Sequence, residues 1–210
     1  MRFQTLYEGR WIFAVVLVLG AIGLALGWAW LAVLALLLLI FCLNFFRDPE
    51  RSIPPGDDVV VAAADGVVAD IVEIDEAEIL NTRCKRIGIF LNVFDVHVNR
   101  APIAGEVTYQ KHHPGLFLDA RHADCSAKNE ALTWAIRGNK ETLVIRQITG
   151  AIARRIVPWS KVGDTIAKGC RFGMIRFGSR TEIYLPMTST IEVRIGDRVR
   201  GGETVVAKMP

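Results

Sequence analysis

The chain has 210 residues, a formal net charge of +3 and 51% hydrophobic residues, with a mean hydropathy of +0.31. That length holds one or two domains, and the hydropathy points to a membrane segment. So small a charge, with no basic run interleaved with aromatics, argues against a nucleic-acid partner.

Trp11 to Phe46 is 36 residues without a charge. A signal peptide has an apolar region of only about 7–15 residues. One span needs about 20 residues, and a single helix of this length would run roughly 54 Å at about 1.5 Å per residue. Two short spans fit better, Trp11–Leu26 and Leu31–Phe46, turning around Gly27–Trp30 with Trp28 and Trp30 at the far interface. A single long tilted helix is the alternative. Arg2 and Arg10 precede the segment, and Arg47 and Arg51 follow it. Positive flanks on one side put both ends of a hairpin in the cytoplasm, at the cell (inner) membrane.

"SIPPGDD" (Ser52–Asp58) is a Pro/Gly linker. The reading is therefore a membrane anchor, 1–51, followed by a β-rich domain, 52–210. Short β-rich runs follow the linker, such as "VVVAAADGVVADIVEI", "RIGIFLNV", "ETLVIRQITGAIARRIV" and "TEIYLP". No long amphipathic helical period occurs there. His112 and His113 precede Pro114-Gly115 and read as loop. His122 lies near Asp119, Asp124 and Cys125 without metal-ligand spacing, and none of the four cysteines is in a CxxC pair. No metal site is expected.

Two quasi-repeats stand out. "VGDTIAKGCRFGMI" (Val162–Ile175) and "IGDRVRGGETVVAKM" (Ile195–Met209) share the pattern apolar-Gly-Asp, then a strand, then a second Gly, offset by 33 residues. "AAADGVVADI" (Ala62–Ile71) and "APIAGEVTYQ" (Ala101–Gln110) share a small-residue entry, a Gly and a strand. The pattern resembles the barrel-sandwich hybrid of biotinyl and lipoyl carrier domains, so the expected fold is mostly β, of that kind, behind a transmembrane helical hairpin. A membrane-tethered carrier or binding module is the competing function. A biotin carrier presents a lysine between two methionines at a hairpin tip, whereas Lys208 has only Met209 beside it.

Three places could carry chemistry. Asp65 in "AAADGVV" reads as a turn residue or an acid–base group. In "LNVFDVHVNRAP" Asp95, His97 and Asn99 are spaced by two and share one face of a strand, either a solvent-facing row or a site. "GMIRFGSRTEIYLP" reads as two strands around Gly178-Ser179. Ser179 lacks the G-x-S-x-G elbow of ordinary hydrolases.

These stretches bring a family into view. "NFFRDPERSIP" (Asn44–Pro54), "AADGVV" (Ala63–Val68), "FLNVFDVHVNRAPIAGEV" (Phe90–Val107) and "FGSRTEIYLP" (Phe177–Pro186), with "KNEAL" (Lys128–Leu132) more weakly, resemble the short bacterial and archaeal type of phosphatidylserine decarboxylase proenzyme. The resemblance implies a chain that cuts itself between Gly178 and Ser179. The products would be a β chain, 1–178, and an α chain, 179–210, with Ser179 converted to a covalent pyruvoyl cofactor. It implies Asp65 and His97 near Ser179 as base and partner. The substrate would be phosphatidylserine, held as a Schiff base and decarboxylated to phosphatidylethanolamine. Arg47, Arg51 and Arg100 would meet the phosphate, the anionic surface or plain solvent; a homo-oligomer is an open option. Longer members carry a second histidine where this chain has Arg100, and Ser or Thr where it has Arg180.

Overall fold

The computed structural model describes residues 3–122, 124–151, 155–176 and 178–210. Outside that range fall the flank residue Arg2, part of the run "GAIARRIV", and Phe177 of the last motif. The chain divides into two compact units, Met1–Glu50 and Arg51–Pro210.

In the first unit, helix α1 (Phe3–Ala25) and helix α2 (Ala29–Phe45) pack on each other across a short turn at Gly27, where φ is +69°. Small residues allow the approach. A Cβ on Gly20 would lie 3.3 Å from the Ala35 Cβ, and one on Gly23 would lie 2.8 Å from the Ala32 backbone. Trp28 and Trp30 stack at the turn, their ring centroids 6.2 Å apart. Helix α1 begins eight residues before the expected Trp11. Its 23 residues are long and apolar enough to cross a bilayer; α2 is apolar but shorter.

The second unit is mostly β. Its strands are β1 (Val59–Val61), β2 (Gly66–Glu76), β3 (Thr82–Leu91), β4 (Val98–Arg100), β5 (Gly105–His113), β6 (Ala131–Arg137) and β7 (Thr142–Ile148). There follow β8 (Arg155–Pro158), β9 (Thr165–Ile166), β10 (Arg171–Arg176), β11 (Ser179–Pro186), β12 (Thr190–Ile191), β13 (Arg198–Val199) and β14 (Val205–Lys208), with a single helical turn α3 (Cys125–Lys128) before β6. Three antiparallel sheets result. The largest has the order β13-β2-β3-β11-β7-β6-β5-β9; the others are β1-β14-β12 and β4-β10-β8. His112 and His113 close β5 rather than lying in a loop.

The quasi-repeats read in the sequence become matched halves of the large sheet. Ile183 pairs with Ile145 at its centre. Outward on one side come Ile87 and Ile71, and on the other Trp134 and Gln110. Gln110 follows Ile71 by 39 residues, as Gly105 follows Gly66 (105 − 66), and these two glycines pair with Ile166 and Val199, which are 33 apart (199 − 166). The Gly-Asp turns match too: the Gly163 N–H donates to the Val107 carbonyl and the Gly196 N–H to that of Val68. Both glycines have left-handed φ, +93° and +95°, which a Cβ disfavours.

The core lies on the inner face of this sheet, around Trp134, Phe172, Ile87, Ile145, Ile183 and Leu185. Trp134 and Phe172 meet edge to face at 5.1 Å. Lys208 sits within β14, paired to both Val59 and Thr190, so it is not at a hairpin tip.

Candidate active site

The two strand-like pieces around Gly178-Ser179 do not form a hairpin. Strand β10 belongs to a three-stranded sheet, and β11 to the centre of the eight-stranded one. The chain changes sheets at Gly178, whose φ is +69°. A Cβ there would meet nothing within 4 Å, so the requirement is conformational rather than steric. The Gly178 carbonyl is tightly packed: a Cβ on Gly150 would lie 2.5 Å from its oxygen.

Ser179 opens β11 opposite Leu91 and is fully buried. Its hydroxyl has no hydrogen-bond partner among the described residues. A buried, unsatisfied hydroxyl costs about 1–3 kcal/mol and calls for a reason.

His97 supplies one. The Gly178 N–H donates to its Nε2 at 3.1 Å, and its Nδ1 lies 2.9 Å from the Asp95 carbonyl. A backbone N–H can only donate, so Nε2 is the unprotonated nitrogen and Nδ1 carries the proton toward Asp95. The imidazole is thus neutral, with its lone pair aimed at the backbone before Ser179.

Of the three residues expected on one strand face, only Asn99 lies in a strand, β4; Asp95 and His97 fall in the turn before it, and all three are buried rather than solvent-facing. Asp95, His97 and Asn99 are 5%, 0% and 0% exposed. Asp95 accepts from Arg198 at 2.6 Å and from the Asn92 N–H. Asn99 donates to the Thr181 hydroxyl at 3.3 Å and accepts from Gln147 at 2.6 Å; Gln147 in turn accepts from the Trp134 indole at 2.8 Å. This relay ends two residues from Ser179 on the same face of β11.

Asp65 is placed elsewhere. Its two oxygens share a single nitrogen of Arg51, Nη2, at 2.9 and 2.8 Å, and one also accepts the Gly201 N–H at 2.8 Å. It makes no hydrogen bond to His97 or Ser179 among the described residues. Burial raises its pKa; Arg51 and the Gly201 N–H pull it down by less. Arg51 and Arg100 are structural cations, contrary to the surface role expected of them. Arg51 joins Asp65 and Glu203, and buried Arg100 donates to the Gly169 carbonyl. Arg47 donates to the Asn44 carbonyl.

A cavity of about 390 Å³ opens at Gly178, lined mainly by Phe90, Val93, Phe94, Ala120, Gly150 and Arg121. Arg121 lies 5.7 Å over the Phe90 ring and is tied to Asp119, whose carboxyl it holds down to about 2. Gly150 and this wall escaped the sequence reading, because glycine and loop residues show no periodicity. No group of His, Cys, Asp or Glu among the described residues could hold a metal ion.

A model of the phosphatidylserine decarboxylase family matches residues 38–207. The chain belongs to this family. It is 45% identical to the phosphatidylserine decarboxylase proenzyme of Symbiobacterium thermophilum over 212 aligned positions, covering 100% of this chain and 98% of that one. To the proenzyme of Carboxydothermus hydrogenoformans it is 44% identical, covering 96% of this chain and 95% of the relative. That of Syntrophus aciditrophicus is 45% identical over 84% of this chain and 83% of its own. Both comparisons disfavour the carrier-module alternative.

Proposed function

We propose that this chain is a self-cleaving phosphatidylserine decarboxylase that breaks its own Gly178–Ser179 bond and makes a pyruvoyl group from Ser179. Family membership supports the reading. The observation that carries it is the buried, unpartnered Ser179 hydroxyl beside a left-handed glycine whose N–H engages neutral His97. Such a serine suits conversion to a ketone, since the hydroxyl makes no hydrogen bond among the described residues.

The cleavage chemistry follows from the residues. Ser179 Oγ attacks the Gly178 carbonyl carbon. The O–C bond forms, the C–N bond breaks, and the hydroxyl proton passes to the freed amine, leaving an ester. His97 is our candidate for carrying that proton at Nε2, once the Gly178 N–H that occupies its lone pair in this structure lets go. Loss of the Ser179 Cα proton then expels the Gly178 carboxylate. The enamine left behind takes up water and releases ammonia, giving the ketone.

The finished group supplies an electrophilic carbonyl that binds the substrate amine and accepts the electron pair left by departing carbon dioxide. The apolar wall of Phe90, Val93 and Phe94 suits the lipid portion, and Arg121 at its rim suits an anionic headgroup. His97 is the assigned proton carrier in this half as well. For Asp65 an acid–base part needs a rearrangement, since Arg51 and Gly201 hold its oxygens.

In this reading 1–51 anchors the protein in the cell membrane, with the catalytic domain, 52–210, on the cytoplasmic side. The matched Gly-Asp turns favour a barrel-sandwich-hybrid architecture. The β chain, 1–178, and the 32-residue α chain, 179–210, stay together through the pairing of β11 with β3 and β7.

Intact-mass measurement tests the cut directly. The unaltered chain should yield a 32-residue fragment with a blocked, ketone-bearing N-terminus, and Ser179→Ala should yield one uncut chain. A split at 178–179 in Ser179→Ala would sink the mechanism. Accumulation of phosphatidylserine in cells lacking the protein tests the substrate.

A further inference from the structure

Arg180 stands next to Ser179 but points the other way. Side chains alternate along β11, so Ser179, Thr181 and Ile183 face the core while Arg180, Glu182 and Tyr184 face the opposite side of the sheet. On that side lies a buried ion-pair network. Arg180 Nε donates to Glu182 Oε1 at 2.8 Å, and its Nη2 donates to Asp70 Oδ2 at 2.5 Å. Asp70 also takes Arg86 at 3.2 Å. Glu182 is completed by the Ser126 hydroxyl at 2.5 Å and the Tyr184 hydroxyl at 2.7 Å, with Arg86 3.5 Å away.

Two features show that the site is shaped for this guanidinium. Its side chain is only 5% exposed, yet two carboxylates balance the charges of Arg180 and Arg86. Beneath it lies Gly88, where any Cβ would collide with Arg180 Nη2. Burial works against the charged form, and the carboxylates of Glu182 and Asp70 outweigh it.

The network straddles the bond between Gly178 and Ser179. Asp70, Arg86 and Ser126 precede it; Arg180, Glu182 and Tyr184 follow it. After cutting, Arg180 would be the second residue of a free chain end. Chain ends fray unless something ties them down. We propose that Arg180 is a positioning residue that clamps this new end onto β2 through Asp70 and so holds the former Ser179 in register for decarboxylation. The inference rests on the self-cleavage reading above. It gives Arg180 a part at the position where longer members carry Ser or Thr. A lysine cannot replace it, because only the planar fork reaches both carboxylates.

The test uses the full-length protein and three variants: Arg180→Lys, Asp70→Asn and Gly88→Ala, the last keeping every charge while filling the notch. Intact mass first reports cutting. The variants should still be cut, since the clamp acts on the product end. Hydrogen exchange on the cut proteins should then show the Arg180 and Thr181 amides opening at least about 10-fold faster, with the β11 amides from Ile183 onward unchanged. Turnover of phosphatidylserine in mixed micelles should fall roughly 10- to 100-fold per cut molecule with KM within about 2-fold, as expected when a reacting group is misplaced. Cut variants with normal exchange and normal turnover would overturn the clamp and leave the self-cleavage reading standing. Variants that stay uncut would also overturn it, because the network would then serve the precursor. If the unaltered chain is not cut, the parent reading fails, and the clamp with it.

Discussion

The backbone N–H of Gly178 donates to Nε2 of His97 across 81 residues of sequence, at 3.1 Å. This bond fixes the tautomer of the histidine and ties it to the residue before Ser179. Removing the ring should therefore affect cleavage before anything else. In His97→Ala, self-cleavage followed by intact mass should slow by about 10²- to 10⁴-fold, the usual contribution of a positioned acid–base group. Cutting at the normal rate would remove His97 from the mechanism.

A Cβ added at Gly150 would lie 2.5 Å from the Gly178 carbonyl oxygen. Gly150→Ala should displace that carbonyl from the attacking hydroxyl. We expect cleavage to slow at least about 10-fold, together with an overpacking cost of about 1–3 kcal/mol in urea unfolding. Gly178→Ala makes a contrast, because a Cβ there is strained by the positive φ without meeting any neighbour.

The relay from Trp134 through Gln147 to Asn99 is buried throughout. Asn99→Ala would leave the Gln147 amide and the Thr181 hydroxyl each short of a partner. Chemical unfolding in the uncut Ser179→Ala background should show a loss of about 1–3 kcal/mol. A neutral result would mean that the relay contributes nothing to stability.

Asp119 should titrate at about 2 rather than at its ordinary value of 3.8, because Arg121 and its N–H bind the carboxylate. Its folded-state value is lowered, so its small stabilising effect is present above about 4 and fades as pH falls toward 2. Carboxyl-carbon NMR can follow the titration. Arg121→Ala should return it part of the way to normal, because the backbone N–H at 121 stays, and open the rim of the cavity at Gly178.

The matched turns predict matched costs. Gly163→Ala and Gly196→Ala each force a Cβ into left-handed φ with no neighbour within 4 Å. Each should destabilise by about 1 kcal/mol, and the two should agree closely in thermal unfolding. Unequal losses would show that the halves of the sheet are not energetically alike.

The sequence by itself determined a great deal. A run of 36 uncharged residues demands apolar surroundings whatever it packs on, and Gly27 near its middle allowed a turn between two helices. Gly-Asp turns 33 residues apart encoded matched strands, because a left-handed glycine and an aspartate that caps its own turn are local properties. The ordered motifs led to the family and to Gly178-Ser179 for the same reason: each is a short contiguous string.

What the tertiary structure decided is which strings touch. His97 and Gly178 lie in different motifs, and only the meeting of β4 with β10 brings them together. Asp65 carries the right chemistry in the sequence, yet its oxygens are held by Arg51 and Gly201. Asp95, His97 and Asn99 read as one strand face, but the strand starts only at Val98, and the buried turn before it, not a period-two face, encloses the first two. Arg180 looked like a departure from longer relatives. Folding placed it over Gly88, between Asp70 and Glu182, where a buried charge is tolerated only because two carboxylates from different strands converge on it.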